Sequence, residues 1–563
     1  MTSPQAEPTH VRRLVAVAVL LICIIAALVF RLVDLSVIKR HFLQNQWSQR
    51  AIREIVLPAY RGMITDRNGQ PLAISTPVYA AWVDPTKVVL TQAQLISLSQ
   101  FLSLEPSEIQ DQLEKFKHKQ FLYLKRDLSP TLATDLENLN IKGLFLERQY
   151  RRFYPEGESS SQLIGITNID DIGQEGLELE YNSWLSGSPG LKKVIQDRYG
   201  NEVSSLGTLR EPVPGHNLTL SIDNRLQYIA YHELDEGLKY FGAQSGSIVI
   251  LDVKTGEILA MANAPSFNPN IRPKSESGIY RNRAVTDLFE PGSTMKTIAM
   301  ATALSSGRYT PNSLVDTNPG YWFVDGKKVD DLDDGNNNGV ITLTRVLEVS
   351  SNVGISKTIL SLPHSNFLNM IHSFGFVQPT GIGFPGESDG YIATNADHSA
   401  FVLATIAFGY GISVNLLQLA HTYQTIANDG QETPLSLFMV NTPPQTKQVI
   451  SPKVALELRG MLETVLDKHG GTAVAARVPN YIISGKTGTT RILGPHGYEL
   501  NHHNAVFVGM APATNPRLVI AVELHDPTKK AYFGGDVAGP IFAKVMGDAL
   551  RILNVPPDNT AAT

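Results

Sequence analysis

Phe289-Glu290-Pro291-Gly292-Ser293-Thr294-Met295-Lys296, followed by the Ala-, Met- and Leu-rich run Thr297 to Leu304, is the stretch on which the reading of this chain turns. Pro and Gly immediately ahead of a helical run mark its start. The spacing predicts Ser293 at a helix N-terminus and Lys296 three residues on, along the same face. The N–H groups of a first helical turn have no partners within the helix, and the helix dipole favours negative charge there. A serine so placed is a candidate nucleophile whose oxyanion that geometry would stabilise. A Ser-x-x-Lys alone is more often a helix cap beside a solvated lysine. Ser36-Val37-Ile38-Lys39 has the same spacing, next to an apolar run.

Two later motifs decide between the copies. Ser350-Ser351-Asn352 follows an apolar helical run, Leu343 to Val349. Lys486-Thr487-Gly488-Thr489 follows Tyr481 to Ile483, which reads as a strand, with Ala505 to Met510 and Leu518 to Leu524 as further strands. Side chains alternate along a strand, so Lys486 and Gly488 point away from Thr487 and Thr489. Gly488 lets a ligand approach the backbone. Decoys exist here as well. Ser266-Phe267-Asn268 and Ser413-Val414-Asn415 repeat the second pattern, and Lys254-Thr255-Gly256 repeats the third. The last lies between two apolar runs, Ile248 to Leu251 and Ile258 to Leu259, and reads as a hairpin turn.

The three motifs in order supply the parts for attacking an amide through an acyl-enzyme. Lys296 has to be neutral to act as a base, whereas a free lysine titrates at roughly 10.4. Burial and a neighbouring positive charge lower that value, and Lys486 can supply the charge. The Ser350 hydroxyl both donates and accepts, so it can relay a proton to a leaving amine. The Asn352 amide can hold a substrate amide. Lys486 with the Thr487 and Thr489 hydroxyls suits a carboxylate.

The 563 residues predict about two or three domains, and a hydrophobic content of 43% suffices for a large core. A net charge of −5 gives no reason to expect nucleic acid as a partner. Leu14 to Phe30 is an uncharged apolar run, and Leu32, Val33 and Leu35 extend it past Arg31. A bilayer needs about 17–25 such residues, so the run predicts an uncleaved anchor over 14–38, preceded by residues 1–13. Flanking charges do not set orientation, because Arg12 and Arg13 precede the run while Arg31, Lys39 and Arg40 follow it. The chemistry places the large C-terminal part outside. Cys23, the only cysteine, lies inside the run, so the remainder can form no disulfide. No cofactor or metal is expected. His502-His503 lacks ligand spacing and reads as a solvated loop. The acidic run Asp330 to Gly335 fails as a calcium loop, because Leu332 takes a ligand position and Ile341 the place of the bidentate Glu; it reads as an exposed loop.

Beyond these motifs, which serine β-lactamases and penicillin-binding proteins share, the chain resembles class B penicillin-binding proteins over nearly its whole length. Arg61-Gly62-Met63-Ile64-Thr65-Asp66-Arg67-Asn68-Gly69 with Pro71-Leu72-Ala73 looks like their first pedestal motif. Arg152-Phe153-Tyr154-Pro155, Gly157-Glu158, Leu163-Ile164-Gly165 and Gly173-Gln174-Glu175-Gly176-Leu177-Glu178 look like the later ones. Gly409-Tyr410-Gly411 with Leu417-Gln418-Leu419-Ala420 is similar to a helix start in their catalytic domain, which puts Ser413 to Asn415 near a helix cap. Tyr532-Phe533-Gly534-Gly535 resembles the loop walling their cleft. Relatives often carry an aromatic residue before Ala505-Val506-Phe507, where this chain has His502-His503, so His503 is a cleft-wall candidate.

The resemblance implies an α/β transpeptidase domain, an antiparallel sheet between helical layers, over 216–555. It implies an elongated pedestal of the dimerisation type over 39–215, with the junction near Pro212-Val213-Pro214-Gly215, one N-terminal transmembrane helix, and a flexible tail, 556–563. It assigns Ser293 as the residue acylated by the penultimate D-alanine of a stem pentapeptide, Lys296 as its activator, Ser350 as relay and Asn352 as amide holder. Lys486, Thr487, Gly488 and Thr489 would line the carboxylate site, with Tyr532 and Phe533 beside it and the Ser293 and Thr489 N–H groups as oxyanion hole. An amine from a neighbouring stem would then release the acyl group as a crosslink, and β-lactams would trap the same serine. Residues 39–215 carry pedestal motifs in place of a glycosyltransferase, so glycan polymerisation falls to a multispanning polymerase among other divisome partners. The implied location is the bacterial inner membrane, single-pass, with a cytoplasmic N-terminus and a periplasmic catalytic domain. Arg61 to Ala73 and Phe289 to Ser293 look most like the septal type; an elongation-type enzyme and a penicillin-binding sensor or hydrolase are the alternatives.

Overall fold

Five strands pass through the interior; three of them are buried almost end to end and read as nearly unbroken hydrophobic sequence, while the other two carry the polar third motif and an exposed first half. The five are β1 (Ser245–Asp252), β2 (Ile258–Ala264), β3 (Ser484–Gly494), β4 (Gly497–Ala511) and β5 (Leu518–His525). In the computed structural model they form one sheet in the order β2–β1–β5–β4–β3, every pair antiparallel. The structure describes residues 8–197, 202–271, 278–331, 337–442, 444–468 and 470–559. Residues 1–7 of the expected tail, Leu332 to Gly335 of the acidic run and residues 560–563 lie outside them.

Alternation along the strands feeds two cores. Ile248, Ile250, Phe507 and Val522 face one, and Val249, Leu251, Val508 and Ala521 face the other. Five helices bear on the site: α1 (Asn224–Phe241), α2 (Lys296–Ser305), α3 (Asn352–Leu360), α4 (Leu416–Ala427) and α5 (Gly534–Ile552). α1 and α5 cover the first core, and α2 and α4 lie in the second. All 12 residues of α4 are buried, as expected of a helix inside a large domain. The sheet between helical layers is therefore present as the sequence implied. The hairpin at Lys254-Thr255-Gly256 joins β1 to β2.

One boundary differs from expectation. β3 begins at Ser484, after Tyr481 to Ile483. Those residues are held as a loop: the Tyr481 hydroxyl donates to the Val555 carbonyl at 2.6 Å, and the Ile482 N–H to Asp558 Oδ1 at 2.8 Å. The third motif thus lies on the strand itself.

Packing divides the chain into two compact units. Residues 61–76 and 151–186 pack with 215–563 in the larger unit, which carries the three motifs. There Glu178 accepts from Arg61 Nε and Arg152 Nε, each at 2.6 Å, and all three side chains are almost wholly buried. Arg61 also donates to the Glu178 carbonyl at 2.8 Å and to Asn182 Oδ1 at 2.8 Å. The second unit holds 77–150, 187–214 and the N-terminal stretch. Its core is Leu95, Leu98, Leu102, Ile109, Leu124 and Leu136. A three-stranded antiparallel sheet orders Ile52–Leu57, Gly190–Gln196 and Glu202–Arg210. His10–Ile38 is helical, long and apolar enough to cross a membrane, with none of it buried. Near its end Arg31 and Lys39 both pair with Asp34, at 2.7 and 3.1 Å, which offsets the charges there.

Glu178→Gln leaves two buried guanidinium groups without the carboxylate that accepts from both, with Asp171 as the remaining acid beside them. Breaking a buried pair costs about 3–5 kcal/mol. The full-length variant is expected to unfold at clearly lower urea concentration than wild type; an unchanged midpoint by intrinsic fluorescence would show the triad to be energetically neutral.

Candidate active site

The nucleophile segment is held on three sides. Gly292–Met295 forms a single 3₁₀ turn, and α2 proper begins at Lys296, so Ser293 sits one turn ahead of the helix. Thr294 Oγ1 donates to the Pro291 carbonyl at 2.7 Å. From α4 the buried Tyr423 hydroxyl donates to the Thr294 carbonyl at 3.0 Å and lies 2.8 Å from Thr297 Oγ1. From β3, Thr490 Oγ1 donates to the Glu290 carbonyl at 3.0 Å. The third restraint is Gly409, whose carbonyl accepts from the Gly292 N–H at 3.1 Å. Gly409 has φ +89°, and a Cβ there would stand 2.0 Å from the Gly292 carbonyl oxygen.

Three motifs converge in the buried space beneath Ser293. Lys296 Nζ lies 2.9 Å from Ser293 Oγ, 3.0 Å from Ser350 Oγ and 2.6 Å from the Ser350 carbonyl oxygen. Lys486 Nζ lies 3.1 Å from the same Ser350 Oγ and 3.3 Å from Thr487 Oγ1. Burial, and then the Lys486 charge, hold Lys296 well below the ordinary lysine value, with Asp331 opposing them. Burial pushes Lys486 down to about 7. A neutral amine at Lys296 can accept the Ser293 proton, and Ser350 Oγ touches both amines. Ser350 has φ +60°, a left-handed conformation that costs a non-glycine residue about 1–3 kcal/mol.

Asp331 corrects the expectation of an exposed loop at the start of the acidic run. It is 5% exposed, accepts from Ser351 Oγ at 2.8 Å and from the Val353 N–H at 2.9 Å, and so caps α3. Beside it the Asp330 carbonyl accepts from Asn352 Nδ2 at 2.9 Å. The α3 turn follows the helix Leu343–Glu348 as the sequence predicted.

The strand β3 presents its two faces as alternation requires. Gly488 faces the nucleophile segment, where a Cβ would stand 2.6 Å from the Pro291 carbonyl oxygen. On the other face Thr489 Oγ1 accepts from the Gly534 N–H at 2.9 Å, and Thr487 Oγ1 lies 3.1 Å from Thr472 Oγ1. His503, on β4 opposite Arg491, stacks on Tyr532 with ring centres 4.5 Å apart, and Tyr532 packs on Phe533 at 4.3 Å. Burial, and then Arg491, lower the His503 pKa. The histidine pair is thus on a strand and not in a solvated loop; His502 Nδ1 bonds to Asp526 Oδ1 at 2.8 Å.

The duplicate motifs lie elsewhere in the fold. Asn415 caps α4 in a reciprocal box with Gln418. Lys254 Nζ donates to Asn428 Oδ1 at 3.0 Å, Ser266 Oγ to the Glu158 carbonyl at 2.6 Å, and Ser36 Oγ to the Leu32 carbonyl at 2.5 Å within the apolar helix. Asp331, Tyr423 and the Gly409 contact were not found by sequence reasoning. The acidic run was the only signal for the first, and nothing local marks the second.

Gly409→Ala is expected to displace the Gly292 turn and slow acylation of Ser293 by about a hundredfold, the scale of a 1 Å misplacement. Stopped-flow acylation with a chromogenic β-lactam measures it; a wild-type rate would show that the turn tolerates a Cβ at this position.

Two family models match the chain: the penicillin binding protein transpeptidase domain over residues 246–547 and the penicillin-binding protein dimerisation domain over 56–220. A Pseudomonas aeruginosa protein named "Probable peptidoglycan D,D-transpeptidase PbpC" is 42% identical over 547 residues, covering 97% of this chain and 96% of that protein. The peptidoglycan D,D-transpeptidase FtsI of Escherichia coli is 38% identical over 544 residues, covering 95% of this chain and 91% of that protein. Penicillin-binding protein 3 of Mycobacterium tuberculosis, solved with aztreonam, superposes with a TM-score of 0.69 at 28% identity over 89% of this chain and 98% of that one. The transpeptidase domain of Burkholderia pseudomallei penicillin-binding protein 3 gives 0.55 at 40% identity, over 60% of this chain and 97% of that one. With both domain types matched and relatives aligned almost end to end, this chain belongs to the class B penicillin-binding proteins.

Proposed function

We propose that the chain is a peptidoglycan D,D-transpeptidase that crosslinks stem peptides through an acyl-enzyme on Ser293. The observation that carries the reading is the unbroken contact chain Ser293–Lys296–Ser350–Lys486 in a buried site. Neutral Lys296 takes the Ser293 proton as Oγ attacks the carbonyl carbon of the penultimate D-alanine. The Ser293 and Thr489 N–H groups receive the oxyanion. On collapse the C–N bond breaks, and the proton passes from Lys296 by way of Ser350 Oγ to the departing amine of the terminal D-alanine. The amine of a neighbouring stem then attacks the ester, gives up a proton along the same path and restores free Ser293. Lys486, Thr487 and Thr489 hold the substrate carboxylate, and Asn352 holds its backbone amide. His503, Tyr532 and Phe533 wall the cleft as an aromatic stack, which suits apolar contact with bound side chains. β-Lactams, which mimic the scissile amide, acylate the same serine.

In this reading residues 1–13 are a cytoplasmic tail and 14–38 the inner-membrane anchor. Residues 39–215 are the pedestal sequence, of which 61–76 and 151–186 pack with the catalytic part, 216–555 are the periplasmic catalytic domain and 556–563 a tail. The partners are a multispanning glycan polymerase and divisome proteins, and the role is septal, supported by likeness to FtsI.

Mass spectrometry after penicillin treatment is expected to place the adduct on Ser293, and Ser293→Ala to abolish labelling with the fold intact. An adduct on Ser36 or persistent labelling would refute the mechanism. Depletion in a rod-shaped host is expected to give filaments that keep elongating; rounded cells with normal septa would identify an elongation-type enzyme and leave the chemistry standing.

A further inference from the structure

We infer that the larger unit carries a second binding site, separate from the Ser293 cleft: a pocket behind segment 287–289 that takes a small primary alkylammonium on Glu523.

The pocket is a cavity of about 270 Å³ between the start of β1 and the end of β5, on the sheet face toward α4. Glu523 forms its floor. That side chain is 9% exposed and, among the described residues, has neither a hydrogen bond nor an ion pair. Buried polar groups are almost all bonded, so an isolated acid calls for an occupant that completes it. Its neighbours do not. Ser247, opposite Glu523 on β1, donates its hydroxyl to Asn263 Oδ1 at 2.8 Å. The two guanidinium groups of the lining are engaged by Asp287. Arg281 reaches Oδ1 at 2.9 Å and Oδ2 at 3.0 Å, and Arg283 reaches Oδ2 at 3.0 Å.

Two more acceptors line the cavity. His525 Nδ1 donates to Asn504 Oδ1 at 2.7 Å, which leaves Nε2 as the acceptor of a neutral imidazole. Burial lowers the His525 pKa and keeps the ring neutral. Gln244 Nε2 donates to Asp526 Oδ2 at 2.5 Å, which leaves Oε1. An ammonium has three N–H donors. Glu523, His525 Nε2 and Gln244 Oε1 match them in number. Leu288, Phe289 and Leu416 line the rest, so the carbon chain behind the amine meets apolar surface. A carboxylate ligand would have to displace Asp287 from both arginines and lie against Glu523. None of these residues belongs to the Ser293–Lys296–Ser350–Lys486 chain, so the site stands apart from the acyl chemistry.

Occupancy moves a proton. Burial, and then Asp287, push the Glu523 carboxyl up to about 8, with Arg283 opposing. The other groups facing it carry no charge: Ser247 on β1, Val506 on β4, Leu416 on α4 and the neutral His525. At pH 7 Glu523 is mostly protonated. A bound ammonium forces it to ionise, and the proton leaves to solvent. Affinity therefore rises with pH up to about 8 and then levels off, while the amine, with an ordinary value of roughly 10.4, stays charged.

Isothermal titration of the full-length protein with n-pentylamine, in phosphate and in HEPES, reads affinity and proton count together. Release of about 0.9 proton per site at pH 7 is expected, with affinity about tenfold higher at pH 7 than at pH 6. The uncharged 1-pentanol is expected to bind at least about tenfold more weakly, and Glu523→Gln to lose as much affinity for the amine together with the proton. Protein acylated beforehand with penicillin must bind the amine as before. No proton release, wild-type binding in Glu523→Gln, tighter binding of n-pentanoate, or loss of binding in the acylated protein each overturns the inference. Should Glu523→Gln fail to fold, the proton count and the pentanol comparison on wild type decide alone.

Discussion

Two lysine amines and one serine hydroxyl occupy a single water-poor space, and most of the catalytic unit serves to keep them there. Lys296 and Lys486 are fully buried, and Ser350 Oγ stands within 3.1 Å of both. Two ammonium groups at such separation repel strongly where the dielectric is low. At least one must shed its proton, which is what turns an ordinary side chain into a base. The reactivity is therefore a property of the enclosure. It would vanish if water reached the amines, however well the individual residues were retained.

Enclosure requires rigid walls, and the sheet provides them by burying both of its faces. The edge strand β3 carries Lys486 on the face toward α2 and Thr489 on the face toward α5. One strand thus serves the proton-transfer side and the cleft side together. The nucleophile turn is clamped from α4 by Tyr423 and from the Gly409 backbone, so the serine is fixed by contacts remote in sequence.

Much of this was legible before any coordinates. The order of three short motifs located Ser293, Lys296, Ser350, Asn352 and Lys486, and strand alternation assigned Lys486 and Gly488 to one face. Asn415 was placed near a cap by the resemblance of Gly409 to Gly411 and Leu417 to Ala420 to a helix start in the family's catalytic domain, and it caps α4. What escaped has a common physical character. Tyr423 and Gly409 act through long-range packing that leaves no periodic trace. Asp331 lies in a polar run whose composition suggests solvent, and only its partners Ser351 and Val353 reveal that it is interior. Tyr481 to Ile483 look like a strand by β-propensity, yet hydrogen bonds to Val555 and Asp558 hold them as a loop.

The pairing of α1 with α5 has a consequence for how the protein comes into being. The two helices share one core although they lie at opposite ends of the catalytic unit's main segment: Leu226, Ala230 and Leu234 pack in the same cluster as Val537, Ile541 and Val545. Until α5 leaves the ribosome, the side of α1 that meets it and the sheet face beneath it lack that part of their cover. Folding of this layer is thus deferred to the end of synthesis, and such non-local topology folds slowly. A chain that stops short of residue 534 would leave the apolar surface beneath α5 bare, a substrate for chaperones or proteases and not a weakened enzyme.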